Sequence, residues 1–63
     1  MKVRDVLTAD VEDVALGGKA LVRVDGRVVF VDRGLTGDRI VARVTKTNRR
    51  SAEARLVSVE VPS

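Results

Sequence analysis

The middle of this chain concentrates positive charge. Between residues 19 and 50 there are nine Lys and Arg side chains against three Asp, a net charge of +6, whereas the whole protein carries +3. Ammonium and guanidinium groups spread along strands and turns bind phosphate oxygens, so this segment predicts contacts with a nucleic acid. The candidate phosphate-binding residues are Lys19, Arg23, Arg33, Arg43, Lys46, Arg49 and Arg50.

These basic residues also have ordinary structural interpretations. The last three candidates surround a predicted turn and could form a solvated charge cluster. Arg39 and Arg43 alternate with apolar residues, as on the water-facing side of a strand. Residues 17 to 19, Gly-Gly-Lys, could cradle a phosphate. They lack the spacing of a phosphate loop and a following helix, which favours a turn with an exposed lysine.

The residue types exclude most enzyme chemistry. The chain has no cysteine and no histidine. Thiolate and histidine metal sites, cysteine nucleophiles and serine–histidine triads are therefore excluded. Nine carboxylates are present, but 63 residues leave little room for a substrate pocket of roughly 300 Å³ or more. We predict a non-catalytic protein without a metal or a cofactor.

Length and hydropathy limit the organisation of the chain. No apolar run approaches the ~18 residues of a membrane span, and no secretory signal follows Met1. We therefore expect a cytoplasmic protein without a membrane partner. The length allows one small domain, which we expect to span residues 1–63.

A hairpin is predicted at the centre of the chain. KALVRV (19 to 24) alternates regularly, and Asp25-Gly26 fits a tight two-residue turn. RVVFVD (27 to 32) then returns as a strand, and its unbroken apolar run indicates that both faces are at least partly covered. Phe30 is the only aromatic residue and lies in this run. We expect it in the core rather than stacked on a base.

Two more strands are expected after a loop with two glycines at 33 to 38. RIVARVTKT (39 to 47) alternates, with the even-numbered residues from 40 to 44 facing inward. SAEARLVSVEV (51 to 61) follows a basic turn and changes phase in its middle. A bulge or bend near Leu56 would explain that change.

The N-terminal segment allows two interpretations. A strand through much of residues 2 to 15, bent near Thr8 to Asp10, fits its apolar residues. A helix of one or two turns, capped by Asp10 and ended at Gly17, also fits. Short strands and tight turns dominate the rest, and closing them into a barrel removes exposed edges. We expect an all-β fold, a small five-stranded antiparallel OB-like barrel.

Several motifs occur in an order and spacing that together are specific, although each alone is weak. They are Gly17-Gly18-Lys19, RVDGRVVFV at 23 to 31, Gly37-Asp38-Arg39, ARVTK at 42 to 46, AEARLV at 52 to 57 and Pro62-Ser63. On these motifs, residues 11 to 63 resemble a TRAM domain, in particular those fused to RNA uracil-5-methyltransferases. The resemblance implies an OB-like five-stranded β-barrel that binds tRNA or rRNA and delivers it to a methyltransferase catalytic domain. Standalone TRAM proteins, which act as RNA binders or RNA chaperones, are similar.

The sequence departs from the family pattern at two positions. Ala20 stands where the family usually has glycine, which predicts a less free backbone approach there. Ser51 stands where an aromatic residue is common, and a stacked ring contributes about 1 to 3 kcal/mol per base. We therefore expect weaker and more electrostatic RNA binding than in a typical member.

Two functions from different classes are compatible with the sequence. The first is a non-catalytic RNA-binding module that contacts phosphates of tRNA or rRNA through its basic strand and loop residues. The alternative is a protein-interaction or assembly module that forms a homodimer or docks on a catalytic domain, because a small valine-rich barrel could complete its core in this way.

Overall fold

The computed structural model describes all residues from 1 to 63 and contains six strands and no helix. The strands are β1 (Val6–Asp10), β2 (Asp13–Val14), β3 (Ala20–Val24), β4 (Arg27–Val31), β5 (Arg39–Thr47) and β6 (Ser51–Val61). The all-β prediction is confirmed, and the helical alternative for the N-terminal segment is wrong. No helical segment is therefore present that could cross a membrane.

All strands belong to one sheet, in the order β1-β5-β6-β4-β3-β2. Neighbours are antiparallel except β4 and β6, which are parallel. The two edge strands, β1 and β2, are not hydrogen-bonded to each other, so the sheet is open. They are nevertheless consecutive in the chain, and β1 contacts β3. The predicted five-stranded antiparallel barrel is thus corrected to an open, six-stranded sheet with one parallel pair.

The sixth strand arises because the N-terminal strand divides at Val11 and Glu12. The Val11 N–H donates to the Asp38 carbonyl at 2.8 Å, whereas the Glu12 N–H donates to the Leu21 carbonyl at 2.9 Å. Successive residues therefore bond to opposite edges of the sheet, which separates β1 from β2. The predicted bend is present, but it lies just after the expected Thr8 to Asp10.

The predicted hairpin turn joins β3 to β4. Asp25 has φ of 51° and Gly26 has φ of 78°. Two successive positive φ angles define the turn type whose twist matches a tight antiparallel hairpin, and the Asp-Gly pair is favoured there. Val24 and Arg27 are paired on either side of it. The hairpin prediction is confirmed.

The core is a single cluster of small aliphatic side chains on one face of the sheet. It contains Leu7, Ala9, Val11, Ala20, Val22, Val29, Val31, Ile40, Ala42, Val44, Ala52 and Ala54, with Val24 and Leu56 packed against it. Alternate residues of β3 and β5 point into it, as the period of a strand requires. The predicted inward face of β5 and the predicted alternation of β3 are confirmed.

Phe30 does not belong to this core, and the prediction that it does is wrong. Val29 and Val31 are fully buried. Because side chains alternate across a strand, Phe30 points to the other face of the sheet. There it is half-buried, opposite Leu21 of β3 and Glu53 of β6. The sequence could not indicate which face Phe30 occupies, because both faces of β4 carry apolar side chains.

A β-bulge interrupts β6 next to Leu56, as predicted. Ala42 of β5 pairs with Leu56 and Val41 pairs with Ser58, which leaves Val57 without an opposite residue. Such an extra residue bends a strand and shifts its side-chain phase. Val57, in the bulge, and Val59 and Val61, after it, are exposed.

The loop at 33 to 38 is fixed to the C-terminal residues through Asp38. The Asp38 carboxylate is largely buried and accepts backbone N–H bonds from Ser63 at 2.7 Å and from Leu35 at 3.0 Å. The Ser63 bond, followed by the Leu35 bond, lowers the pKa of Asp38, and burial opposes this shift. The ionised form of Asp38 therefore stabilises this end of the sheet.

This contact predicts an acid-dependent loss of stability. The pKa of Asp38 is lower in the folded protein than in the unfolded chain. The stabilisation by the ionised carboxylate is therefore complete above the unfolded pKa and is lost as the pH falls through the folded pKa. Asp38→Asn should therefore flatten the fall in unfolding free energy between about pH 5 and pH 2. Urea titrations of the two proteins across this range measure the difference. Parallel pH profiles would contradict the assignment.

Candidate nucleic-acid interface

The single aromatic ring of the chain lies in a shallow depression on the solvent-facing side of the sheet. This side of β3, β4, β5 and β6 is hereafter the outer face. The depression has a volume of about 290 Å³. Its lining residues are Lys19, Phe30, Asp32, Thr45, Glu53, Ala54 and Arg55. A half-buried ring among polar and charged groups is a surface on which a planar base can stack.

Cross-strand register places two arginines next to this depression. Arg55 lies two residues after Glu53, which pairs with Phe30, so it is a diagonal neighbour of the ring. Arg43 of β5 pairs directly with Arg55. Like charges in directly opposite positions destabilise a sheet. Neither arginine takes part in any of the three ion pairs of the chain. Both guanidinium groups are therefore without a direct ion-pair partner and can bind an anion.

Lys19 and Arg23 flank the ring on its other side, but each has a carboxylate partner. Lys19 Nζ lies 3.6 Å from Glu53 Oε1, across β4, and Arg23 Nε lies 3.4 Å from Glu12 Oε1. All four side chains are substantially exposed, and such surface pairs contribute about 0 to 1 kcal/mol. A phosphate can therefore replace either carboxylate at little energetic cost.

A second irregularity brings a hydroxyl group to the depression. Val44 pairs with Ala54 and Lys46 pairs with Glu53, so Thr45 has no opposite residue. Its hydroxyl donates to the Glu53 carbonyl at 3.3 Å. Lys46 is thereby placed opposite Glu53, in the same row of the outer face as Phe30.

The other predicted basic residues lie at the two ends of the outer face. Arg49 and Arg50 are exposed in the β5–β6 turn, where the Asn48 N–H donates to the Ser51 carbonyl at 2.8 Å. Arg33 follows Asp32 beyond the opposite end of β4. Four of the seven candidates thus surround the ring: Lys19, Arg23, Arg43 and Lys46. The other three, Arg33, Arg49 and Arg50, lie farther from it.

Sequence reasoning missed two members of this arrangement, Phe30 and Arg55. Phe30 was assigned to the core because its neighbours are valines. Arg55 was left out because it follows the basic segment, although its spacing from Glu53 places both on one face of a strand. No group of three or more acidic side chains is arranged to hold a metal ion.

Removing the charges of the β5–β6 turn should weaken RNA binding without affecting the fold. Both arginines are exposed, so Arg49→Ala with Arg50→Ala should change stability by no more than ~0.5 kcal/mol. The loss of two cations should reduce affinity and the salt dependence of binding. Fluorescence anisotropy with a labelled RNA, alongside thermal unfolding, measures both. Unchanged binding would show that the turn is only solvated.

Ser51 is the position at which a second ring can be tested. It is half-buried and pairs with Val28, two residues before Phe30 and on the same side of β4. Ser51→Phe should therefore tighten RNA binding, with a gain that depends little on salt because stacking is not ionic. Ser51→Leu is the matched control, apolar but without a ring. Equal gains from both variants would contradict stacking.

The fold and this interface define a small all-β domain with an aromatic and basic outer face. Comparison with known proteins gives the family. The TRAM domain model matches residues 1–57, and the chain belongs to this family.

The relatives of the chain are much longer proteins. It is 47% identical over 53 residues to an uncharacterized RNA methyltransferase of Nitratidesulfovibrio vulgaris, covering 84% of this chain and 11% of that protein. It is 39% identical over 57 residues to the 23S rRNA (uracil(1939)-C(5))-methyltransferase RlmD of Methylococcus capsulatus, covering 90% and 13%. The chain therefore spans only a small part of the curated relatives it matches.

A solved structure shares the fold. The solution structure of a conserved protein of Methanococcus maripaludis superimposes with a TM-score of 0.84 at 31% identity. The match covers 92% of this chain and 83% of that protein. The fold of this chain is thus similar to that of a protein not much longer than the domain itself.

Proposed function

We propose that this chain is a non-catalytic RNA-binding domain that holds single-stranded RNA on its outer face. Phe30 stacks on one base, and Arg43 and Arg55 bind a neighbouring phosphate. The observation that carries this proposal is the only aromatic ring of the chain, half-buried in a depression beside two arginines that lack ion-pair partners. A structural role alone gives no reason for a directly opposed arginine pair.

The remaining candidates extend the contact with the RNA backbone. Lys19 and Arg23 bind phosphates after exchanging their carboxylate partners. Lys46, which is in no ion pair, binds a phosphate directly. Arg33, Arg49 and Arg50 add charge at the two ends of the outer face. Because most of these contacts are ionic, the domain selects RNA by charge and by unstacked bases rather than by sequence.

The names of the relatives support a proposal for the RNA class. One of them is named as a methyltransferase of 23S rRNA, and we propose ribosomal or transfer RNA, in the cytoplasm, as the ligand. Residues 1–63 act as one domain that delivers RNA to a methyltransferase catalytic domain. In this account the chain has no catalytic residue and needs no cofactor or metal for binding.

A salt titration tests the proposal. Binding of a short oligouridine should weaken with a slope of roughly −0.7 per neutralised phosphate in a plot of log affinity against log salt. Arg43→Ala with Arg55→Ala should reduce that slope, whereas Glu60→Gln, at an exposed position near the end of β6, should not. Duplex DNA should bind more weakly at every salt concentration, because its bases are not free to stack on Phe30. A flat salt profile, or equal binding of duplex DNA, would contradict the proposal.

A second candidate function rests on the exposed valines of β6. These valines are Val57, in the bulge, and Val59 and Val61, after it. On the β4 side of β6, strand pairing ends at Ala54. The relatives carry this domain within far longer methyltransferases. We propose that these valines pack against the methyltransferase domain rather than against a second copy of the chain. Sedimentation should then give a monomer without RNA, and a dimer would contradict this choice of partner.

A further inference from the structure

The turn between β2 and β3 presents a leucine completely to solvent. Leu16 has a relative exposure of 102%, so its side chain packs against nothing in the protein. The turn itself is ordered by backbone bonds: the Gly18 N–H donates to the Ala15 carbonyl at 3.0 Å, and the Ala15 N–H donates to the Lys19 carbonyl at 2.8 Å. A defined turn therefore carries an apolar side chain that contributes no packing to the fold.

Single exposed leucines are common on protein surfaces and need no explanation by themselves. The position of Leu16 is what distinguishes it. The turn ends at Lys19, which lines the depression around Phe30 and reaches across β4 to Glu53. Leu16 is thus within one turn of the rim of the proposed RNA site.

The two glycines that follow keep the surface of this turn open. Gly17 and Gly18 have φ of 90° and 83°, and a Cβ at either would meet no heavy atom within 4 Å. The Gly17 N–H donates to no protein acceptor. Backbone without side chains and with a free donor permits close approach of a phosphate.

We infer that the Leu16-Gly17-Gly18 turn is a second RNA contact adjacent to Phe30. Leu16 packs on the base or ribose of the nucleotide next to the one stacked on Phe30, and the Gly17 N–H binds the connecting phosphate. The inference rests on the proposed function, and it names a contact that is apolar rather than ionic. It predicts that part of the affinity survives at high salt and depends on Leu16.

Tryptophan fluorescence tests the contact directly, because the chain has no tryptophan and no tyrosine. Leu16→Trp introduces a single reporter at the turn, and a short oligouridine should change its emission intensity. The control is Leu35→Trp, at another exposed loop leucine that does not line the depression. Its emission should stay constant. An unchanged signal from Trp at 16, or equal changes at both positions, would overturn the inference.

A substitution separates this inference from the function on which it rests. Leu16→Ser should weaken oligouridine binding about three- to tenfold at an unchanged melting temperature, with most of the effect persisting at high salt. If the parent binds and Phe30→Ala weakens binding while Leu16→Ser does not, the turn is no RNA contact and the proposed function stands. If the parent does not bind oligouridine at all, the proposed function itself fails.

Discussion

Phe30→Ala should lower the affinity of this domain for single-stranded RNA by roughly 5- to 150-fold, the equivalent of about 1 to 3 kcal/mol for one stacked base. The ring lies on the outer face and is only half-buried, opposite Leu21 and Glu53. Its removal leaves no cavity in the aliphatic core, so the variant should be folded. Anisotropy titrations measure the affinity, and circular dichroism measures the fold.

Two matched variants make this result specific. Phe30→Leu keeps an apolar side chain but removes the aromatic face, so it should lose nearly as much affinity as alanine. Val29→Ala alters the adjacent, fully buried residue and should lower the unfolding free energy by about 2 kcal/mol without affecting RNA affinity in the folded fraction. If Phe30→Ala unfolds the domain and Val29→Ala does not, Phe30 is a core residue after all.

Gly34→Ala should cause the largest loss of stability of any Gly→Ala substitution in this domain. A Cβ at Gly34 would lie 2.9 Å from the Ala20 Cβ and 3.1 Å from Val11 Cγ2, and the residue has φ of 147°. Ala20 and Val11 are both buried core residues, so neither can move away freely. Steric overlap and backbone strain together should lower the unfolding free energy by about 2 to 4 kcal/mol.

This loss would be a large part of the total, since a domain of this size is stable by only roughly 3 to 9 kcal/mol. Gly26→Ala is the control, because Gly26 also has a positive φ, 78°, but its Cβ would meet nothing within 4 Å. Gly26→Ala should lower the unfolding free energy by about 1 kcal/mol, because only the strain of a positive φ then opposes the substitution. Equal losses in the two variants, measured by urea unfolding, would contradict close packing at Gly34.

The close approach at Gly34 also explains how the core accommodates the side chain of Ala20. The Ala20 methyl is fully buried and points at Gly34. The space for this methyl is provided by the absence of a side chain at 34. An alanine at 20 is therefore accommodated within the core and does not alter the outer face on which RNA is proposed to bind.

Local patterns predicted those parts of the fold that depend on neighbours in the chain. The Asp25-Gly26 hairpin, the inward face of β5 and the bulge near Leu56 each follow from a short stretch of sequence. The division of the N-terminal strand at Val11 was not predictable in this way. It depends on backbone hydrogen bonds from Val11 and Glu12 to two segments far away in the chain. A local sequence pattern does not indicate which segment each residue will pair with.

The candidate site shows the same limit. The basic residues were evident from composition, but the ion pairs that compensate Lys19 and Arg23 join residues far apart in the chain. The opposed arginines, Arg43 and Arg55, likewise depend on the register between β5 and β6. For Phe30 the pattern was misleading, because a strand with valines on both faces gives no alternation from which to assign the ring to one side.

Amide chemical-shift mapping tests the central claim most directly. In a ¹H–¹⁵N titration with a short oligouridine, the largest shifts should cluster on the outer face, at Phe30, Glu53, Arg55 and the residues paired with them, and should decrease in Phe30→Ala. Leu35 and Thr36, loop residues that do not line the depression, should change least. Shifts centred instead on Val57 to Val61, or an absence of shifts at RNA concentrations that saturate the anisotropy signal, would contradict the assignment of the outer face as the RNA site.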